Sequence, residues 1–347
     1  MKNENSQKSE EKPKGKKQSF LLKIASKSHE AKFRNTNPGY AYGWPMGLWF
    51  TIFFVAPLVI ILVYSFMTKS TYGGVEFKFS LKAYQQIFSP SYLKIIWRTF
   101  YITLISTAIT IIIALPCGYA MARSKHQTLL LILIIIPFLT NSLIRIFAWK
   151  TILGEDGLLN EIGRFFFNLF HSIGLGSKDA VFVPGKFMYT KGAIILVSIY
   201  MYLPYAILPI FTAVDRFDFS LIEAARDLGA NKPTAMFKIL LPGIKSGIIS
   251  ALIFTFIPIF GSYTVPQIVG DKNSYMLGNI IVDQINKVRN YPLASAFSMI
   301  ITLISMAAII WMLVSNKKEA SLKKSSSKDD FNLSQEPLLA SSVKSRK

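Results

Sequence analysis

The chain has 347 residues, 51% of them apolar, with positive mean hydropathy and a formal net charge of +20. Repeated uncharged runs of about 20 residues, each long enough to cross a hydrocarbon layer of roughly 30 Å as a helix, exclude an ordinary soluble globule. The basic excess lies at the chain ends and in short internal loops, which argues against a nucleic-acid partner, and a single cysteine, Cys117, excludes an intramolecular disulfide.

Residues 1–45 are rich in Lys, Ser, Glu and Asn and read as a disordered, basic cytoplasmic tail; residues 316–347 read the same way. The N-terminal basic region is too long for a secretory signal, and no short apolar core with a small-residue cleavage site follows it. Between the tails lies a transmembrane domain, residues 46–315, with six predicted spans. They run from Met46 to Met67, Trp97 to Met121, Leu129 to Leu153, Gly192 to Val214, Ile244 to Val269 and Leu293 to Ser315. The expected fold is therefore all-α and polytopic. Pro57, Pro116, Pro137, Pro204, Pro209 and Pro258 fall inside the spans and predict kinked helices packed in a bundle. Trp44, Trp49, Trp97, Trp149 and Trp311 fall near span ends, as an aromatic belt requires, and Cys117 reads as a small packing residue. Between the third and fourth spans, Leu158, Leu159, Ile162, Phe165, Phe166, Leu169 and Phe170 make one broad apolar face, so this segment is expected to lie flat in the outer interface.

Lys and Arg set the orientation. With both termini inside, the inner segments hold twenty-five: ten in the N-terminal tail, two at Arg123 and Lys125, five from Asp215 to Lys245, and eight in the C-terminal tail. The outer loops hold ten. The stretch 215–242 then faces the cytoplasm. Within it, Ser220 and Glu223 have capping-box spacing, and Leu221, Ile222, Ala224, Ala225 and Leu228 repeat at helical spacing. Gly229 ends that helix, Asn231 and Pro233 suit the start of a second, and the second is expected to stop at Pro242. Two short helices meeting at a glycine elbow suit a groove on another protein; the same pattern also fits an amphipathic connector lying on the membrane.

The order Glu-Ala-Ala, three residues, Gly, nine residues, Ile-x-Leu-Pro resembles the cytoplasmic coupling loop of permease subunits in bacterial ABC importers. Glu223, Ala224, Ala225, Gly229, Ile239, Leu241 and Pro242 occupy its fixed positions. The resemblance implies the type I permease fold, a loop that docks on a separate ATP-hydrolysing subunit, and a multi-pass bacterial plasma-membrane location. It also implies a second permease subunit, two ATPase subunits and an extracytoplasmic binding protein as partners. Three further stretches are similar to the B-type subunit of spermidine/putrescine permeases: Pro137 to Ile146, Leu203 to Asp218, and Gly278 to Ile281 followed by Arg289. That similarity implies a polyamine substrate.

A flexible polycation needs acceptor oxygens and aromatic faces along its path. Tyr205 and Tyr263, each beside a proline or glycine break, are the first candidates, with Tyr202 and Phe260 beside them; the competing reading is that such aromatics pack the bundle. Arg145 reads as a brace that bonds carbonyls or a partner subunit, assisted by Asn141 and Thr140, because a lone intramembrane cation is costly and would repel a polyamine. The spans contain no carboxylate, and Ser262 and Gln267 are neutral where relatives often carry an acid. Two rivals stay open: an ABC permease for phosphate, sulfate, iron or an amino acid, and a secondary transporter. No Gly-x-x-x-x-Gly-Lys-Ser/Thr loop is present, and His29, His126 and His171 are scattered. The chain is thus expected to be a transport subunit without an ATPase site, metal or cofactor of its own, ATP and Mg being used by the partner.

Overall fold

A computed structural model describes residues 38–172 and 183–315; both terminal tails lie outside these. The chain divides into two units after Ile60. In the first, helix α1 begins at Pro38, so residues 38–45 of the expected tail are helical. It runs Pro38–Phe50, passes through a π-helical turn at Thr51–Val55, and resumes as Ala56–Ser65. Trp49 stacks near Phe53 and Phe50 on Phe54, and both pairs remain largely exposed, as a lipid-facing helix requires.

The second unit departs from the all-α expectation at one place. Strands β1 (Met67–Lys69) and β2 (Val75–Phe79) form an antiparallel hairpin with Met67 opposite Phe79 and Lys69 opposite Val75. Gly73 and Gly74 take positive φ at its tip, and Gly74 N–H donates to the Arg289 carbonyl. The alternation Val75, Phe77, Phe79 carries a period-2 signal too short to stand out beside the long apolar runs.

After α2 (Lys82–Ile87) comes α3 (Pro90–Ala122), whose 33 residues make it about 50 Å long. One face of α3 carries Thr99, Thr103, Ser106, Thr107, Thr110, Ala114 and Gly118, all buried. Small residues let helices approach closely where the hydrophobic effect cannot drive them together. At Gly118 an added Cβ would stand 2.8 Å from Ile210 Cγ2 and 3.1 Å from the Phe211 nitrogen. Those atoms belong to α7 (Lys191–Asp215), the principal neighbour of α3.

The predicted third span is broken. Helix α4 (Gln127–Leu139) and α5 (Ser142–Leu153) meet at a bend of 87°, and α6 (Leu158–Ser172) follows a short turn. Thr140 Oγ1 donates to the Pro137 carbonyl at 2.6 Å, and Asn141 Oδ1 accepts from Leu143 N–H at 2.8 Å. Both side chains cap the break, and the bonds they make among the described residues are local ones.

The predicted fifth span is divided as well. It comprises α10 (Lys245–Phe260) and the short α11 (Thr264–Val269), and the expected boundary at Ile244 falls where the preceding segment turns by 69°. Then come α12 (Leu277–Asn286) and α13 (Tyr291–Ser315). Among the described residues, four helices are long and apolar enough to cross a membrane, or up to six if each bent pair counts as one span.

Three clusters form the core. At one end Ala114, Met121, Ile210, Val214, Leu240 and Ile244 pack together, with Cys117 partly buried against them as a packing residue. Further along α3 and α7, Ile102, Ile194, Val197, Val265 and Met276 make a second cluster, and Ile87, Phe260, Leu277, Leu293 and Phe297 a third.

Candidate coupling element and aromatic patch

The stretch after α7 folds as an elbow. Helix α8 (Ser220–Asp227) starts without the expected capping box: Ser220 makes no side-chain cap, and the carboxylate of Asp218 accepts from Ser220 N–H at 3.0 Å instead. That bond, with the Ser220 hydroxyl, holds the Asp218 carboxyl below the usual carboxylate range. The signal was present as Asp-x-Ser, an Asx turn one position upstream of the pattern that drew attention.

Gly229 lies at φ +91°, in the left-handed region that favours glycine. Its N–H donates to the Arg226 carbonyl at 2.9 Å, and Ala230 N–H donates to the Ala225 carbonyl at 3.0 Å. This pair of bonds is a Schellman cap, which satisfies the carbonyls left over at a helix end. Asn231 Oδ1 then accepts from Thr234 N–H at 2.9 Å, and α9 begins. It runs Lys232–Ala235, widens into a π-helical turn at Met236–Leu240, and continues as Leu241–Gly243. Pro242 therefore sits inside the last turn and does not end the element; the chain breaks one residue after Gly243, at Ile244.

Burial divides the element into two sides. Ile222, Met236, Leu240 and Leu241 join Phe217 and Phe219 in the first core cluster. Phe219 is held by Tyr119 at 6.3 Å, Phe217 at 5.5 Å and the Arg123 guanidinium at 4.6 Å. On the other side Leu221, Glu223, Ala224, Leu228, Gly229 and Phe237 are exposed, Leu228 at 89% and Phe237 at 69%. Apolar side chains this open, grouped around a rigid turn, form a surface able to dock. Of the seven motif positions, Glu223, Ala224, Gly229 and Pro242 lie outward, while Ala225, Ile239 and Leu241 are half-buried.

The predicted aromatic path separates into two environments. Tyr205 is 46% exposed, 6.0 Å from Tyr202 and 5.1 Å edge-on from Phe138. The Arg145 guanidinium lies over the opposite partner of this row, 4.8 Å from the Phe138 ring centre. The expected bond from Arg145 to a carbonyl is not found among the described residues; its Nε is buried without a hydrogen-bond partner. Tyr263, 49% exposed, stands at the start of α11, where its carbonyl accepts from Gln267 N–H. Phe260 is different. It is 2% exposed and stacked on Phe256 at 5.6 Å, inside the third core cluster, so its ring faces no open path.

Three structural supports have no role assigned from the sequence, although Asn279 belongs to the Gly278 to Ile281 stretch. Arg98, on α3, donates through Nη1 to the Asn273 carbonyl and through Nη2 to the Tyr275 carbonyl. Thr99 Oγ1 accepts from Leu277 N–H at 3.0 Å. Asn279, completely buried, donates to the Tyr263 carbonyl at 2.9 Å and to Gln267 Oε1 at 3.1 Å, while its Oδ1 accepts from Met276 N–H. An added Cβ at Gly278 would meet the Ser262 carbonyl at 2.7 Å. The Gly278-Asn279 pair thus latches α12 to the α10–α11 break. In the same loop Asp271 lies in electrostatic reach of Arg98, and the Ser274 hydroxyl holds its carboxyl below the ordinary range.

The profile of the binding-protein-dependent transport system inner membrane component matches residues 41–318. The chain belongs to that family. It is a multi-pass protein of the bacterial plasma membrane. Among its relatives, the spermidine/putrescine transport system permease protein PotB of Haemophilus influenzae is 33% identical over 266 residues, covering 76% of this chain and 88% of that protein. PotB of Escherichia coli K12 is 31% identical over 267 residues, or 76% and 93%. The fold resembles a chain in the crystal structure of a bacterial ABC transporter that imports the acidic polysaccharide alginate, with a TM-score of 0.62 at 15% identity, covering 86% of this chain and 99% of that one.

Proposed function

We propose that this chain is the permease subunit of an ABC importer for polyamines, spermidine and putrescine, driven by a separate ATPase. The observation that carries the reading is the sustained similarity to spermidine/putrescine permeases over nearly their whole length, with a family match over residues 41–318 that spans the elbow. In this reading the chain crosses the membrane six times with both termini in the cytoplasm. It pairs with a second permease subunit, above two ATPase subunits that bind ATP and Mg, and receives substrate from an extracytoplasmic binding protein.

The mechanism follows from the elbow's build. Closure of the ATPase pair would push on the exposed side of α8 and α9, while their buried side is packed into α3, α7 and α10. A rigid handle biases one of two helix arrangements, and the population of outward and inward states shifts. The Tyr202–Tyr205 pair offers ring faces to an ammonium group, the neighbouring Phe138 ring being taken by the Arg145 guanidinium, and a second permease subunit would supply carboxylates that these spans lack.

Uptake by proteoliposomes holding the assembled complex, energised with internal ATP, tests the reading. Accumulation of labelled spermidine or putrescine that stops when the ATPase is disabled is the expected result. Transport of phosphate, sulfate or an amino acid with no polyamine uptake would assign the chain to another importer.

A further inference from the structure

Helix α6 is amphipathic and faces the wrong way for a protein in water. Leu158, Leu159, Ile162, Phe165, Phe166 and Leu169 lie along one side and are 36–65% exposed. On the other side Asn160 is 1% exposed, and Gly163, Arg164 and Phe167 are half-buried. The helix keeps its broad apolar side open and turns Asn160 to the protein.

A clasp fixes that rotation. Asn160 Nδ2 donates to the carbonyls of Gly154 and Gly185, each at 3.1 Å, and its Oδ1 accepts from Gly185 N–H at 2.8 Å. Every capacity of this buried amide except one acceptor lone pair is used on the two chain segments that flank the helix. Rolling α6 to bury its phenylalanines would break all three bonds. The segment after Gly185 in turn joins the bundle, since Tyr189 N–H donates to the Val269 carbonyl before α7 begins.

From these observations we propose that α6 is an in-plane membrane anchor, its apolar side sunk in the lipid leaflet at the end of the bundle remote from the elbow. Lipid is the occupant because the chain is a plasma-membrane protein and α6 follows by a short turn on α5, the second half of a bent apolar span whose Leu143, Ile144 and Phe147 are also exposed. The remote end follows from the chain path: Gln127 Nε2 bonds Asp215 at the elbow end, and α4 and α5 lead away from it. An interfacial helix sinks its apolar side about 5–10 Å below the headgroups. Here the anchor would hold the loop before α7 at a fixed depth while the elbow moves at the other end.

Spin labels decide the matter. In a Cys117→Ser background, Phe165→Cys, Leu169→Cys and Glu161→Cys are labelled singly and the full-length chain is reconstituted with its complex in nanodiscs of phosphatidylethanolamine and phosphatidylglycerol. Labels at 165 and 169 should relax several-fold more with oxygen than with a water-soluble nickel chelate, and the label at 161 should show the reverse. Nickel access at 165 and 169 equal to that at 161 overturns the proposal, because the face then meets water. Immobilised labels that neither reagent reaches also overturn it, since a partner protein would cover the face.

Discussion

Gly229 shows how one residue shapes the elbow. At φ +91° any other side chain is strained by about 1–2 kcal/mol, and proline cannot adopt that φ at all. Gly229→Pro is expected to abolish uptake while the protein still inserts, and Gly229→Ala to reduce it; uptake set against the amount of membrane-inserted protein checks both. Glu223→Lys, on the exposed side, should also abolish transport by reversing charge at the docking surface without altering the fold. Asn279 is the opposite kind of residue, wholly interior. Asn279→Ala leaves the buried Met276 N–H without that partner, at about 1–3 kcal/mol for a buried group left unsatisfied. A lower unfolding temperature in detergent is expected, and an unchanged one would remove the latch from the account. Tyr205→Ala should raise the polyamine concentration needed for half-maximal uptake, because it removes the exposed ring between Phe138 and Tyr202.

Among the elements, helix contacts are made by small residues and breaks by capped ones. At Gly247 an added Cβ would come within 2.9 Å of the Pro209 carbonyl, so α10 touches α7 beside its second interior proline. Gly247→Val should separate the two helices and lower both thermal stability and uptake, by contrast with Gly43→Val, which meets nothing within 4 Å. The positions of these breaks were partly legible. Gly229, Asn231 and Pro233 announced the elbow because cap residues act within a few positions of themselves. The 87° bend at Thr140 and Asn141 was not read, since an apolar run with one proline fits a kinked span as well as a broken one.

Within the second unit, a packed helical bundle carries an exposed elbow. If the handle docks on an ATPase subunit, Ala224→Cys, which is exposed, should cross-link to that subunit in the assembled complex. The sequence by itself determined the membrane class, the basic-loop asymmetry and the coupling motif, because hydrophobic run length, charge and cap chemistry are local properties. Tertiary structure decided the rest. Which aromatics are buried, as Phe260 is while Tyr205 is not, depends on neighbours more than 100 residues away in the chain. The Arg98 clamp and the Asn279 latch likewise bond backbone carbonyls, and every residue carries one, so no residue type marks the acceptor in advance.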